Sequence, residues 1–222
     1  MRVVAVPGLG LSVDGWQAPL RLLAPTTGVV ALALPGFGEP ARPDDALDPG
    51  TSALRLLERL DALGLGRVVL VGHSASCQVV AEVARRAPER VSGLVLVGPS
   101  TDPRAATWPR LAARWLRTAA SEPAGQIPLL VRDYTYSGLV TFARTMDASR
   151  RHDLERALAA TRCPLLVLRG VHDRIAPQSW ADRLTARPGA RGETLLVGAH
   201  MLPVTHPHEL VEPVRRFVLG CA

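Results

Sequence analysis

Three residues whose types and spacing admit chemistry follow one another along the chain: a serine, an aspartate and a histidine. Gly72-His73-Ser74-Ala75-Ser76 joins an apolar run, Val68–Val71, to a helix-length segment that begins at Ser76. A sharp strand-to-helix turn holds a serine hydroxyl up for attack, and its tightness demands small residues two before and two after the nucleophile. Gly72 and Ser76 meet that demand around Ser74, whereas centring the turn on Ser76 would put Gln78 in the crowded position. The last glycine of G-x-S-x-G is Ser76 here, a departure that keeps the steric logic. The same residues also admit a plainer reading, a polar turn with serine as a helix N-cap.

A serine hydroxyl is a poor nucleophile until a base takes its proton and a carboxylate orients that base. Asp173 follows the run Leu165–Leu168 within Arg169-Gly170-Val171-His172-Asp173-Arg174, and His200 follows Thr194–Val197 in Gly198-Ala199-His200. Both are expected at C-terminal strand ends beside Ser74, the edge at which open α/β sheets place ligands. The chain order Ser, Asp, His is the one this arrangement uses. Asp102, just past Leu94–Val97, is the rival acid. His206 and His208 read as solvated residues of the last helix or its entry, His172 as a loop residue, and His73 as a packing or pocket-shaping residue. A tetrahedral intermediate needs hydrogen-bond donors aimed at its oxyanion. The N–H of Ala75 is one candidate, and that of Leu9 in Pro7-Gly8-Leu9-Gly10 is the other. Gly8-Leu9-Gly10 is only a weak match to a dinucleotide fingerprint, because position 13 is Val13 and no acid stands at the expected later strand end.

These residues need elements to carry them. Six β-branched or Leu-rich runs punctuate the chain: Val3–Val6, Val29–Ala33, Val68–Val71, Leu94–Val97, Leu165–Leu168 and Thr194–Val197. Most are continuous rather than alternating, as parallel strands covered on both faces require. Helix-length segments lie between them, at Trp16–Leu23, Ser52–Leu63, Ser76–Ala87, Ala181–Thr185 and Glu209–Leu219. The alternation predicts an α/β fold with a mainly parallel sheet of about six strands flanked by helices. Roughly 65 residues separate the fourth run from the fifth, where a crossover needs only a dozen or more. That interval should hold helices over Thr107–Ala120 and Ile127–Met146 and a crossover helix over Asp153–Ala160. The expected division is a core of residues 1–100 and 152–222, with residues 101–151 inserted as a short helical lid over the strand ends.

Composition narrows the classes. The 222 residues are 47% hydrophobic, which suits a globular chain. No apolar stretch approaches the length of a membrane span, and the N-terminus lacks the apolar core of a secretory signal, so a soluble, cytoplasmic protein is expected. Cys77, Cys163 and Cys221 are too few and scattered for a disulfide framework or a zinc site, and neither metal nor organic cofactor is implied. The net charge of +6 comes from arginine alone, since lysine is absent, as asparagine is. That usage, with abundant Ala, Gly, Pro and Val, points to coding bias, and dispersed basic residues and 4% aromatics argue against a nucleic-acid surface. Between Thr101 and Arg151 there are eight Arg against four acids, so this stretch carries most of the excess.

Taken with Trp16 downstream of Pro7-Gly8, with Leu34-Pro35-Gly36-Phe37-Gly38 and with Gly170-Val171-His172-Asp173, these motifs make nearly the whole chain resemble the α/β-hydrolase superfamily. Within it the chain looks like the small capped serine esterases related to meta-cleavage product hydrolases. The resemblance implies Ser74 as nucleophile, Asp173 as acid, His200 as base, the N–H groups of Leu9 and Ala75 as oxyanion hole, and residues 101–151 as the cap. Pro7 stands where the family commonly has His, and Ala33 where it usually has Asp. The chain starts where the family's third strand would be, so a reduced sheet is expected, with a small cap and a pocket either open or completed by a second subunit. The implied activity is hydrolysis of a small or medium carboxylic ester or thioester. Trp108, Trp115, Tyr134, Tyr136, Phe142 and Met146 are candidates to line an apolar acyl site, each also readable as core packing. Three alternatives stand beside it: a C–C bond hydrolase using Arg110, Arg114 or Arg144 on a substrate carboxylate, a biosynthetic acyl transferase or cyclase, and a non-catalytic small-ligand binder.

Overall fold

A computed structural model describes residues 2–221. Its strands are β1 (Arg2–Val6), β2 (Gly28–Ala31), β3 (Leu34–Pro35), β4 (Gly38–Glu39), β5 (Val68–His73), β6 (Val91–Val97), β7 (Leu165–Gly170) and β8 (Ala190–Leu195). All but the two-residue β3 and β4 join one sheet in the order β2-β1-β5-β6-β7-β8, every neighbouring pair parallel. The helices are α1 (Gln17–Leu23), α2 (Pro49–Ala62), α3 (Ser76–Arg86), α4 (Trp108–Ala119), α5 (Ile127–Ser137), α6 (Leu139–Ser149), α7 (Leu154–Ala159), α8 (Gln178–Thr185), α9 (Leu202–Thr205) and α10 (Pro207–Leu219).

The continuous apolar runs have a simple cause. Successive strand side chains point to opposite faces, and here both faces are covered. Val4, Val6, Leu70, Leu94, Leu96 and Val167 enter one core with Leu56 and Leu60 of α2, Val79 and Val83 of α3, and Trp180 of α8. Their neighbours Val3, Ala5, Val69, Val71, Val95 and Leu168 enter a second core with Leu23 of α1 and Leu210, Val211, Val214 and Val218 of α10. The chain's three cysteines are free thiols. Among the described residues no helix is long and apolar enough to cross a membrane.

Several elements differ from expectation, among them α8, which begins at Gln178 rather than Ala181, and β2, which ends at Ala31 rather than Ala33. The last strand lies at Ala190–Leu195, ahead of the expected Thr194–Val197, and Leu196 is 88% exposed. As the edge of the sheet it pairs only with β7 and leaves one side to solvent, so its ladder residues are partly polar. The expected helix Ile127–Met146 is two helices, because Gly138 takes a φ of 80° between α5 and α6. The second helix starts earlier than Ser52, since Asp48 caps α2 by accepting the Thr51 N–H and Pro49 begins the helix.

The long connection between β6 and β7 carries α4, α5 and α6 across the carboxyl ends of the strands. Asp133 of α5 accepts the N–H and O–H of Ser12, and the Ser137 hydroxyl donates to the Gly10 carbonyl, both in the loop after β1. Arg144 of α6 donates to the carbonyls of Arg42 and Asp45, and the Thr118 hydroxyl of α4 accepts the Arg174 N–H after β7. The insertion thus bonds to three separate loops at one edge of the sheet.

Candidate active site

Between the end of β5 and the start of α3 the chain has two residues in which to turn, and Ser74 does so at a φ of 56°. An L-residue in this left-handed region is strained, and its surroundings hold it there. The Ser74 N–H donates to the Val97 carbonyl at 2.9 Å, and its own carbonyl accepts the Cys77 N–H at 3.2 Å. Gly72 is required, because a Cβ there would lie 2.8 Å from the Cys77 backbone. Ser76 is fully buried and functions as a tie: its hydroxyl accepts the His73 N–H at 2.8 Å and lies 2.9 Å from the carbonyls of Val6 and His73. A glycine here could not pin the turn to the end of β1.

Asp173 sits in the turn after β7, wholly buried. Its Oδ1 accepts the N–H groups of Ile175 and Ala176 at 2.8 and 2.9 Å, and its Oδ2 lies 2.8 Å from His200 Nδ1. His200 Nε2 is in turn 2.8 Å from Ser74 Oγ. Arg169 secures the turn by donating to the carbonyls of Ala176 and Asp173. The tight approach of the strand ends needs Gly170, where a Cβ would meet the Gly198 and Ala199 carbonyls at 2.5 Å. It also needs Gly98, at a φ of 54°, whose Cβ would stand 3.1 Å from both Asp173 Oδ2 and His200 Nδ1.

Charge and hydrogen bonding fit this geometry. Burial works against the Asp173 carboxylate, but the charge and hydrogen bond of His200, with the Ala176 N–H and Arg169, hold it below the usual carboxylate range. Burial also opposes the charged His200 imidazole, yet Asp173, through charge and hydrogen bond, and Glu122, through charge, lift it above the ordinary 6.5. With Asp173 accepting from Nδ1–H, His200 presents the Nε2 lone pair to the Ser74 hydroxyl. Such an arrangement can remove a hydroxyl proton as the oxygen attacks carbon.

The other histidines and the rival acid are bound differently. His73 is buried with its Nε2 2.9 Å from the His200 carbonyl, and burial followed by the His200 charge pushes its pKa down to about 3. It stays neutral and packs beneath the histidine it neighbours, ring centroids 5.2 Å apart. Asp102 pairs with Arg114 at 2.8 Å and caps the turn at Pro103 through the Arg104 N–H. His206 bonds Thr205. The Ala75 N–H opens α3 and the Leu9 N–H lies in the loop after β1, and neither meets a protein acceptor among the described residues. Gly10, at a φ of 72°, lies against the Tyr134 ring and turns that loop.

A cavity of ≈ 360 Å³ opens beside His200 under α4 and α5, walled by Trp115, Leu130, Tyr134, Ile175 and Met201. Trp115 and Tyr134 each meet Phe142 edge-on, at ring centroids 5.7 and 5.3 Å, so Phe142 braces the wall from behind. Burial pushes the Tyr134 phenol up, with the Asp133 charge adding to it. Met146 is buried in the same core as Val4, Leu70 and Leu94. Trp108 is 44% exposed beneath the Arg150 guanidinium, and Tyr136 is exposed, so neither borders the cavity. Among the described residues no cluster of His, Cys, Asp or Glu is arranged to hold a metal ion.

A sequence model described as the alpha/beta hydrolase family matches residues 3–212. The chain belongs to this family. A protein named "Putative carbamate hydrolase RutD" from Klebsiella pneumoniae (strain 342) is 29% identical over 227 residues, covering 91% of this chain and 85% of that one. The pimeloyl-acyl-carrier-protein methyl ester esterase of Serratia marcescens is 24% identical over 246 residues, covering 97% of this chain and 93% of the esterase. The abhydrolase domain-containing protein abhd-5.2 of Caenorhabditis elegans is 33% identical over 101 residues, 44% of this chain, which spans only 23% of that longer protein. Among solved structures, the hydrolase olei00960 from Oleispira antarctica superposes with a TM-score of 0.84 at 17% identity, covering 99% of this chain and 91% of that one, a likeness of fold.

Two features of this family member escape sequence reasoning. Gly98 announces itself weakly, as the glycine of a Gly-Pro pair directly after a strand. Glu122 has no signal at all, because an acid between two helices of an insertion reads as solvated until the fold brings it to His200.

Proposed function

We propose that this alpha/beta hydrolase cleaves small or medium carboxylic esters or thioesters through an acyl-enzyme on Ser74. The observation that carries the reading is the unbroken hydrogen-bonded series from Asp173 through His200 to Ser74 Oγ, both links 2.8 Å, beside an apolar cavity. His200 Nε2 takes the Ser74 proton as Oγ attacks the substrate carbonyl, and Asp173 fixes the imidazole tautomer and stabilises its charged form. The N–H groups of Leu9 and Ala75 hold the oxyanion. Collapse expels the alcohol or thiol, which takes the proton from His200. Water, deprotonated by the same nitrogen, then attacks the acyl carbon, and the acid leaves as Oγ recovers its proton.

In this reading residues 101–151 are the cap, and Trp115 and Tyr134 border the acyl site. The carbamate and methyl ester substrates in the relatives' names lend support, since both present a carbonyl carbon bearing a leaving oxygen or nitrogen. An arginine for a substrate carboxylate would favour the C–C bond alternative, but Arg114 is bound by Asp102, Arg144 by two carbonyls and the exposed Arg110 by the Arg104 carbonyl, which supports the ester reading.

The test is turnover of p-nitrophenyl esters from acetate to decanoate by wild type and Ser74→Ala. Release that depends on chain length and falls to the uncatalysed rate in the variant is expected. No release by folded wild-type protein, or unchanged release by Ser74→Ala, would overturn the proposal.

A further inference from the structure

His200 stands in an irregular segment between β8 and α9, and the backbone around it is held from an unexpected side. Glu122 follows α4, in the insertion, 78 residues away along the chain. Its Oε1 accepts the N–H of His200 at 2.7 Å and the N–H of Met201 at 2.8 Å, while its Oε2 accepts the side-chain amide of Gln126 at 3.0 Å. His200, Met201 and Gln126 are all buried. Two buried backbone donors at the histidine therefore depend on one carboxylate, and leaving such donors unpaired is costly. Glu122 also borders the cavity, as do Gln126, Met201 and His200. The segment carrying His200 is thus tied to the wall that a substrate would touch.

We infer that Glu122 is a positioning residue: it clamps the His200 backbone and so makes the Ser74–His200 alignment depend on the seating of the insertion. The inference rests on the serine-hydrolase reading above. A shift of about 1 Å in the base can cost roughly 100-fold in rate, and the clamp acts on the residue whose placement matters most. Glutamine can take over this role. A single amide oxygen can accept both N–H bonds, and the new NH2 can donate to the Gln126 Oε1, which has no partner as it stands, once Gln126 rotates to suit. Methionine matches the length and offers no comparable acceptor.

The experiment compares Glu122→Met and Glu122→Gln with wild type in three measurements. These are kcat and KM on the best p-nitrophenyl ester, amide hydrogen exchange of the peptide containing His200 and Met201, and Ser74 labelling by a fluorophosphonate. Glu122→Met should lower kcat about 10- to 100-fold with little change in KM and speed exchange in that peptide, while Glu122→Gln restores both. Unchanged kcat or unchanged exchange in folded Glu122→Met would overturn the inference. Should that variant not fold, a Glu122→Gln protein as impaired as an alanine variant at the same site would do the same. Faster exchange in Glu122→Met together with unlabelled wild-type Ser74 would leave the clamp standing and remove the serine-hydrolase reading, so the two failures are separable.

Discussion

Ser74 illustrates how the site is held at the scale of single residues. Its left-handed backbone costs roughly 1–3 kcal/mol, offset by the Val97 bond, the absent side chain of Gly72 and the buried Ser76 hydroxyl that reaches the end of β1. The proposed choice of Asp173 over Asp102 as the acid also rests on this scale. Asp173 accepts two N–H bonds on one oxygen and faces His200 with the other, whereas Asp102 is spent on Arg114 and a turn. Asp173→Asn should therefore lower kcat by roughly four orders of magnitude, because an amide in place of the carboxylate favours the wrong imidazole tautomer. Asp102→Asn should lower the melting temperature while kcat keeps its order of magnitude. Steady-state kinetics and thermal unfolding of both variants check this, and the reverse pattern would move the acid to the end of β6.

At the scale of elements, α3 does more than carry the serine at its entry. Its Glu82 accepts from Arg85 and Arg86 on the same helix and lies 3.0 Å from His152 Nε2, in the turn that leads into α7. Burial raises the Glu82 pKa, but the hydrogen bonds from Arg85, His152 and Arg86 outweigh it and bring it down to about 2. A carboxylate depressed on folding adds stability that is fully present above its unfolded value, near 4.5, and is lost as pH falls through about 2. Glu82→Gln should cost about 1–3 kcal/mol at pH 7. The gap between its melting temperature and that of wild type should close between pH 4.5 and 2, and a gap independent of pH would contradict the assignment. The elements themselves were readable to different degrees. The four central strands declare themselves, because burial on both faces leaves only Val, Leu, Ala and Gly along most of their length. The edge strand β8 does not, since exposed Arg191 and Gly192 and half-buried Glu193 stand within the paired residues and the nearby apolar Leu195-Leu196-Val197 draws the eye too far. The break between α5 and α6 turns on the single Gly138, which within an otherwise helical pattern looks tolerable.

Across the whole molecule, what was legible depended on distance in the chain. Ser74 and Asp173 could be read because each follows an apolar run that is a buried strand, and His200 because the run before it overlaps the end of β8; parallel strands bring these ends to one edge. Their meeting at 2.8 Å distances could not be read, because it depends on glycines at Gly98 and Gly170 that only the assembled strand ends explain. Nor could the use of the insertion's positive charge. The sequence shows only an excess of arginine, whereas Arg114, Arg132, Arg150 and Arg151 pair with acids, and Arg144 with carbonyls, fastening the insertion to itself and to the core. Fold, cavity and hydrogen-bonded series converge on one claim, that the Ser74 hydroxyl is the nucleophile. Peptide mapping of folded protein after a fluorophosphonate treatment tests it most directly. The expected result is one adduct per chain, on the peptide containing Ser74 and abolished by His200→Ala; wild-type protein that stays unmodified, or carries the adduct on another residue, would contradict the account.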